Sequence, residues 1–286
     1  MDDLTLSRSA PADIDVCGRI IFDAFRAVAE EHGFPPDFAS VDEGVGVATA
    51  VISHPDFYGV VAELAGRVVG SNFLDERSAI IGLGPITVDP SAQNGQIGRR
   101  LMIDALDRCR ERRVPGVRLL QAAYHNRSLS LYTKLGFELR EPCVTMQGPS
   151  IGEKVPGYEV RAAHEDDLQA CDRLCTVVHG HDRFGEVLDA IRQGAARVVE
   201  HDGRITGYCT GISFLAHAVG ESNDDLKALI GAATEFGGPG FMLPARNGEL
   251  YRWCMSRGLR VVHVMNLMSM GLYNEPAGSY LPSILY

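Results

Sequence analysis

Residues 89–96 lie where a phosphate group could bind. An apolar run of strand length, residues 79–88 (AIIGLGPITV), precedes them and ends at Asp89-Pro90, because proline cannot extend a strand ladder. From Ile97 onward apolar residues recur at helical spacing, so an amphipathic helix begins in this loop. The free backbone N–H groups and partial positive charge at a helix N-terminus attract anions. The pattern therefore predicts a strand, loop and helix that hold a phosphate or diphosphate.

The stretch from Val88 to Leu101 (VDPSAQNGQIGRRL) resembles the signature V-x-P-x-x-[QR]-x-x-G-x-[GA] of the GCN5-related N-acetyltransferase (GNAT) superfamily. The resemblance implies that this loop binds the diphosphate of coenzyme A, with acetyl-CoA as the co-substrate. The first glycine of the signature falls on Gln96, and Gly95 stands one place early. Glycine permits positive φ and a close approach of phosphate, so either Gly95 takes over the bend or binding is weakened.

A second stretch, residues 126–137 (NRSLSLYTKLGF), follows a predicted buried strand at 117–124. It resembles the second GNAT signature, N-x-[AS]-x-x-x-Y-x-[KR]-x-G-F, at every specified position. By resemblance Tyr132 is the general acid that protonates the leaving thiolate, and Asn126 holds the pantetheine arm or the backbone beside it. A phenol of pKa about 10 stays protonated beside a thiol of pKa about 8.5, which suits this role. The alternative is that Tyr132 only packs its ring on the sheet.

The resemblance also implies a donor for the oxyanion, namely a backbone N–H of the strand that precedes the loop. The residues implied in binding the co-substrate are Ile86, Thr87, Val88, Gln93, Asn94, Gly95, Gln96, Ile97, Gly98, Arg99, Asn126 and Ser128. The first three of these are the candidates for the oxyanion donor.

The attacking amine must be neutral, and deprotonating a lysine-like amine at pH 7 costs roughly 4 to 5 kcal/mol. A general base, acting directly or through water, is therefore expected. The acceptor itself should lie against residues 30–38, whose aromatic and acidic side chains suit an amine with apolar groups, unless Phe34 and Phe38 merely cap the core. Candidates for the base or for holding its water are Asp75, Glu76, Glu30, Glu31, Gln121, Tyr124 and His125, and the base is left unassigned.

The two halves of the chain repeat one order of elements. A strand, a capped turn and a helix start at residues 9–13 and again at 162–166, and hairpins turn at Gly66 and at Gly203. The segment 147–157, rich in glycine and proline, separates the halves as a linker. We predict an α/β (α+β) fold with two GNAT-like domains, each a central mixed, mostly antiparallel sheet flanked by helices, at 1–148 and 157–286.

The second half lacks the features that would bind coenzyme A. Its counterpart of the phosphate loop carries Glu221, Asp224 and Asp225, which would repel a diphosphate, and Trp253 replaces the tyrosine. We expect a degenerate domain that walls the acceptor cleft or supports the fold. Its run from His179 to Arg183 is read as a helix-ending turn or as a metal or acceptor site.

Composition limits the remaining possibilities. A net charge of −10 argues against a nucleic-acid or anionic-membrane partner, and no signal peptide or apolar span of 18 residues is present, so we expect a cytoplasmic protein. Seven scattered cysteines read as reduced core thiols, and no metal is expected. The expected function is direct acetyl transfer from acetyl-CoA to a primary amine of a small molecule or peptide, in a monomer or a homodimer. The alternative is a non-catalytic acyl-CoA sensor.

Overall fold

The computed structural model describes residues 4–93 and 95–285. The first half of the chain begins with a short strand and two helices, continues with four strands and a helix, and ends with a strand, a helix and a strand. Its elements are β1 (Leu4–Arg8), α1 (Ile14–His32), α2 (Val41–Ser53), β2 (Phe57–Leu64), β3 (Arg67–Asp75), β4 (Ile80–Leu83), β5 (Thr87–Val88), α3 (Ile97–Glu111), β6 (Gly116–Ala122), α4 (Asn126–Lys134) and β7 (Glu138–Gln147).

The second half follows the same order after an irregular segment at 148–158. The connection between its first two helices, residues 180–183, is shorter than the connection at 33–40 in the first half. Its elements are β8 (Glu159–Ala162), α5 (Leu168–His179), α6 (Phe184–Arg192), β9 (Arg197–His201), β10 (Arg204–Cys209), β11 (Ala218–Gly220), α7 (Asn223–Ala232), β12 (Phe241–Pro244), α8 (Gly248–Ser256), β13 (Arg260–Gly271) and β14 (Ser279–Leu281).

Both predicted hairpins form with the same turn. Ala65 and Gly66 between β2 and β3 have φ of 51° and 74°, and Asp202 and Gly203 between β9 and β10 have φ of 50° and 74°. Two successive positive φ angles give a turn whose twist matches the flanking strands. The hairpins therefore occupy equivalent places in the two halves, as the sequence pattern indicates.

The two halves exchange one strand each. In the nine-stranded sheet the order is β1-β2-β3-β4-β6-β13-β7-β12, and β5 pairs with β3 beside this path. Strand β13 of the second half therefore lies between β6 and β7 of the first half, and β7 in turn lies between β13 and β12. The remaining strands of the second half form a five-stranded sheet, β14-β11-β10-β9-β8. The predicted mixed, mostly antiparallel sheets with flanking helices are present, but the central sheet belongs to both halves.

The predicted strand at 79–88 is wrong in one respect, because the structure breaks it in two. Strand β4 ends at Leu83 and β5 begins at Thr87. Pro85 lies in the gap, and proline has no N–H to donate to a ladder. The break leaves the segment from Gly84 to Ile86 free of sheet pairing at the position where the site begins.

Other expectations about the chain concern thiols and membranes. All seven cysteines are buried and unpaired by disulfides, as expected for core thiols. Among the described residues, no helix is both long and apolar enough to cross a membrane.

The shared sheet predicts that both halves unfold together. Leu74 on β3 is fully buried in the first half, so Leu74→Ala should cost about 2–5 kcal/mol. The chain has one tryptophan, Trp253 on α8, which reports on the second half. We expect the denaturation midpoint followed by Trp253 fluorescence to fall as far as the midpoint followed by circular dichroism. The matched control is Leu229→Ala on α7, buried in the second half. A fluorescence midpoint unchanged by Leu74→Ala would show that the halves unfold independently.

Candidate active site

Two parallel strands diverge at the centre of the first half. The ladder between β4 and β6 runs from Ile80 opposite Gly116 to Gly82 opposite Arg118 and then stops. Strand β6 continues to Ala122, paired on its other side with β13. The unpaired backbone beyond Gly82 and Arg118 is available to a ligand lying between the strands, because backbone polar groups require partners.

The far edge of this gap carries the three candidates for the oxyanion donor. Thr87 and Val88 pair with Ser71 and Gly70 of β3, which turns the chain away from β6. Ile86, Thr87 and Val88 all line the cavity that the divergence opens. The structure thus brings the implied donors to the ligand side of the sheet.

The loop before α3 bends at Gln96. Gln96 has φ 60° and ψ 11°, the left-handed conformation, and serves as the N-cap of α3 without a side-chain hydrogen bond to a described residue. Gln96 itself therefore adopts the conformation that the signature's glycine would adopt, and the bend does not require Gly95 to take it over. A side chain in the left-handed region costs about 1 kcal/mol, so Gln96 keeps the geometry of the signature at the cost of some strain.

The N-terminus of α3 faces the cavity. The residues that line it are Gln93, Gln96, Ile97, Gly98 and Arg99. No side chain among the described residues caps the helix, so its first N–H groups remain available for an anion. Ile97 itself packs into the core and anchors the helix start. Asn94, also predicted to bind the co-substrate, lies outside the described residues. Gly95 belongs to the loop but does not line the cavity.

A basic side chain from α4 reaches the same loop. Arg127 Nη1 donates to Gln93 Oε1 at 3.4 Å, and Arg127 lines the cavity together with Arg99. Two guanidinium groups beside a helix N-terminus give a local positive field despite the acidic net charge. This end of the cavity is therefore suited to a diphosphate.

Tyr132 lies on α4 where the second signature predicts it. Its side chain is buried against Phe137, with ring centroids 6.2 Å apart, and it also lines the cavity. No hydrogen bond joins its hydroxyl to another described residue, and burial raises the pKa of Tyr132 above its ordinary value. The phenol thus stays protonated at neutral pH and is free to donate to a ligand.

The two other α4 residues predicted to bind the co-substrate differ in their position relative to the cavity. Ser128 lines the cavity, where its hydroxyl donates to the carbonyl of His125 at 3.0 Å and accepts from Gln121 Nε2 at 3.0 Å. Asn126 is exposed at the start of α4 and does not line the cavity. Any contact of Asn126 with the pantetheine arm stays a prediction.

The cavity has a volume of about 1020 Å³ and is walled by both halves. Residues of α1, α2, the diverging strands and α4 form its first-half wall. Second-half residues, among them Phe214, Leu215 and Ile284, close the opposite side. The halves are tied here by Arg77, whose Nη1 donates to Asp189 Oδ2 at 2.9 Å. Residues of the second half therefore form part of the cavity wall, as expected of a domain that walls the cleft.

Most candidates for the general base are engaged elsewhere. Asp75 is paired with Arg77, and Glu76 with Arg108 and Arg112, while Glu30 and Glu31 are exposed. Gln121, Tyr124 and His125 do line the cavity. Burial raises the pKa of Tyr124 to about 12 and lowers that of His125.

Sequence reasoning did not consider Asp37 as a base, although it falls inside the segment predicted to bound the acceptor. Asp37 lines the cavity next to Phe38 and is largely buried. The only sequence signal was its position in a proline-containing connection between two helices, Pro35-Pro36-Asp37-Phe38, where an acidic residue is unremarkable.

The second half has no equivalent anion site at α7. Asp225 Oδ2 accepts from the backbone N–H of Ser222 at 2.9 Å and from its hydroxyl at 2.8 Å, so the helix start is capped by its own side chains. The hydroxyl of Thr206 donates to the other carboxylate oxygen. A buried carboxylate therefore lies at the start of α7, and the expectation that this half does not bind coenzyme A stays a prediction.

The histidine run of the second half ends a helix. His179 is the last residue of α5 and is buried against Tyr280, with ring centroids 5.0 Å apart, and Gly180 has the left-handed C-cap conformation. Among the described residues no group of three potential ligands is arranged for a metal ion.

Comparison with known proteins agrees with this geometry. The sequence model described as the acetyltransferase (GNAT) domain matches residues 55–139, the stretch from β2 to the start of β7. This part of the chain is therefore similar to a GNAT domain. Both signature segments and Tyr132 lie within the match. No curated protein sequence matches the chain significantly.

Solved structures extend the likeness from the GNAT domain to the whole chain. A protein of Pyrococcus horikoshii, assigned by inference as an acetyltransferase, superposes with a TM-score of 0.76 at 18% identity, over 98% of this chain and 94% of that one. A GCN5-related N-acetyltransferase from Sphaerobacter thermophilus gives 0.62 at 16%, over 98% and 99%. A tandem GNAT protein from the clavulanic acid biosynthesis pathway gives 0.58 at 14%, over 94% and 98%. At such identities the likeness establishes the tandem fold.

The strained bend generates a test of the loop geometry. Gln96→Gly should raise the free energy of unfolding by about 0.5–1 kcal/mol, because glycine adopts positive φ without strain. It should leave acetyl-CoA affinity equal or higher, since it removes a Cβ beside the phosphate site. Thermal denaturation and calorimetry check the two effects.

The control for this test is Gly95→Ala. A Cβ at Gly95 would find its nearest neighbours at 3.7–3.8 Å, so the variant should be tolerated within about 0.5 kcal/mol. A destabilising Gly95→Ala together with a neutral Gln96→Gly would place the bend at Gly95 and contradict the geometry described above.

Proposed function

We propose that this protein is an N-acetyltransferase that transfers the acetyl group of acetyl-CoA to a primary amine by direct attack. The observation that carries the proposal is one shared cavity. The helix start with Arg99, the diverging strands and the Tyr132 phenol all border it. These are the parts that a diphosphate, a pantetheine arm and a leaving thiolate would each require.

Each group of the chain has a defined task in the transfer. The N-terminus of α3, with Arg99 and Arg127, holds the diphosphate of the co-substrate. A backbone N–H at Ile86, Thr87 or Val88 stabilises the oxyanion formed when the amine nitrogen bonds to the thioester carbon. As the carbon–sulfur bond breaks, Tyr132 gives its proton to the sulfur.

The acceptor that the cavity suits best is a small molecule. Phe214, Leu215 and Ile284 of the second half border the same space as Phe25 and Val47 of the first half. A peptide would have to be extended into a cleft that both halves wall, whereas a small amine with apolar groups would bury its surface there. Acetylation of peptides but not of small amines would overturn this choice.

A thiol-release assay with acetyl-CoA and a panel of primary amines tests the activity. We expect acceptor-dependent release of coenzyme A at neutral pH. Binding of acetyl-CoA without turnover by any amine or peptide would favour the non-catalytic sensor. Absence of acetyl-CoA binding at millimolar concentration would contradict both.

Tyr132→Phe tests the general acid. Removing the phenolic proton should lower kcat by ten-fold or more with little change in acetyl-CoA affinity, since general-acid catalysis contributes ~10²–10⁴. Tyr158→Phe is the matched control, because Tyr158 stacks on His201 in the second half at 4.1 Å between ring centroids and lies outside the cavity wall. An unchanged kcat in Tyr132→Phe would assign the proton donor elsewhere.

A further inference from the structure

Asp37 is a carboxylate with little exposure to water on the wall of the cavity. It lies in the connection between α1 and α2, and its side chain is 11% exposed. Burial raises the pKa of this carboxyl group to about 6. Its neighbours on the cavity wall include the rings of Phe25 and Phe38, which meet edge to face at 5.6 Å.

Within the described part of the chain, Asp37 has no cationic partner. No Lys or Arg nitrogen lies within 4.0 Å of it, and its Oδ1 accepts no hydrogen bond. The nearest basic atom is Nδ1 of His263, at 3.9 Å, on the exchanged strand β13. Burial lowers the pKa of His263 to about 4, so at neutral pH this imidazole carries no charge that could compensate the carboxylate.

His263 is itself without hydrogen bonds. Neither ring nitrogen has a partner among the described residues, and the side chain is 2% exposed. A buried polar atom left without a partner costs about 1–3 kcal/mol, and native proteins keep few of them. Asp37 lies on the cavity wall and the unpartnered His263 lies behind it, so the Asp37 carboxylate marks a place that a polar ligand group completes.

No other titratable group among the described residues forms an ion pair with Asp37. Tyr124 follows β6, and its pKa is raised first by burial and then by the charge of Asp37. His32 at the end of α1 packs on Tyr124 and on His125, at 5.3 and 6.1 Å between ring centroids. On α2, Glu43 is an acid that accepts from the backbone N–H of Ala39. A cation brought by a ligand would therefore be the first partner of the Asp37 carboxylate.

We propose that Asp37 binds the ammonium group of the acceptor and removes its proton, and that the acceptor is a monocationic primary amine on an apolar body. The inference rests on the proposed N-acetyltransfer and adds its base and its substrate class. Among the described residues of the wall, Asp37 is the one largely buried carboxylate without a cationic partner, whereas Glu43 is exposed, and Asp37 sets the charge of the acceptor. The rest of the acceptor should be apolar, because apolar side chains line the cavity, namely Phe25, Phe38, Val47, Phe214 and Ile284.

Every proton that moves in this transfer has a donor and an acceptor. An N–H bond of the ammonium breaks, and its proton passes to a carboxylate oxygen of Asp37, which leaves a neutral amine with its lone pair. That lone pair forms the bond to the thioester carbon, and the carbon–sulfur electron pair leaves with the sulfur, which takes the proton of Tyr132. The second proton lost by the nitrogen restores the phenol, and Asp37 releases its proton to water.

A binding experiment separates charge recognition from mere burial of apolar surface. The thermal shift of the full chain is measured at pH 7.5 with phenethylamine and hexylamine, and with their uncharged counterparts 2-phenylethanol and 1-hexanol. We expect an amine to stabilise the wild type more than its alcohol, and Asp37→Asn to abolish the difference. Equal shifts by amine and alcohol in the wild type, or a difference that survives in Asp37→Asn, would overturn the assignment.

A kinetic experiment tests the proton transfer. The wild-type kcat/KM for the acceptor should rise with pH through about 6, because Asp37 must lose its proton before it can act as a base. Asp37→Asn should lose this rise and fall at least about 100-fold in kcat/KM at pH 7.5. The matched control is Asp42→Asn, an exposed carboxylate on α2, which should keep both. A retained pH profile in Asp37→Asn would overturn the role as base.

Stability separates this role from a structural one. The folded pKa of Asp37 lies above its usual 3.8, so the folded protein binds more protons than the unfolded chain between about pH 4 and 6. Stability therefore falls as pH rises through this window, and at pH 7.5 the carboxylate is destabilising. Asp37→Asn should have an equal or higher Tm at pH 7.5, whereas a lower Tm would mark Asp37 as a structural residue.

Acetyl-CoA is included in the same thermal-shift series. If acetyl-CoA fails to stabilise the wild type, the proposed N-acetyltransfer fails together with the inference. If acetyl-CoA stabilises wild type and Asp37→Asn alike while the amine effects are independent of Asp37, only the inference fails.

Discussion

The exchange of β7 and β13 is the constraint on which the rest of the structure depends. Strand β6 is paired with β4 only as far as Arg118, so beyond that point it is held in place from its other side by β13. Without this second-half strand, the wall of the gap would lose its backbone partner. The gap can stay open on the ligand side because the pairing energy of β6 comes from the other half of the chain.

The same exchange brings residues of the second half to the cavity of the first half. Strand β13 brings His263 to within 3.9 Å of Asp37, and the loops that flank β12 and β14 add apolar side chains to the cavity. At the start of α7 the backbone N–H and the hydroxyl of Ser222 both donate to Asp225 Oδ2. In the proposed function, the first half supplies the reactive groups and the second half shapes the space around them.

The sequence predicted those features that local chemistry specifies. The segment from Asn126 to Phe137 matched the second signature, and its tyrosine lies on α4 at the cavity wall. Gly66 and Gly203 predicted two hairpins, which form with the same turn. The break at Pro85 could also have been predicted from the local sequence, because a proline within an apolar run argues against an unbroken strand.

Tertiary properties could not be predicted in this way. The apolar patterns of β7 and β13 suit a strand in either half, so nothing in them indicates an exchange. The importance of Asp37 arises from burial and from the absence of a nearby cation, which depend on residues more than 200 positions away, such as His263. Gln96 lies between these two cases. The sequence shows that the first glycine of the signature is missing, but it does not show which residue adopts the left-handed conformation instead.

The central claim is that the chain holds one acetyl-CoA site, at the N-terminus of α3. Titration calorimetry with acetyl-CoA tests it most directly, on the wild type, on Gly98→Glu and on Glu221→Lys. Gly98 lines the cavity, and a carboxylate there would repel the diphosphate, whereas Glu221 lies at the capped start of α7. The account predicts one acetyl-CoA per chain, abolished by Gly98→Glu and retained in Glu221→Lys. Binding that survives Gly98→Glu, or two sites per chain, would contradict it.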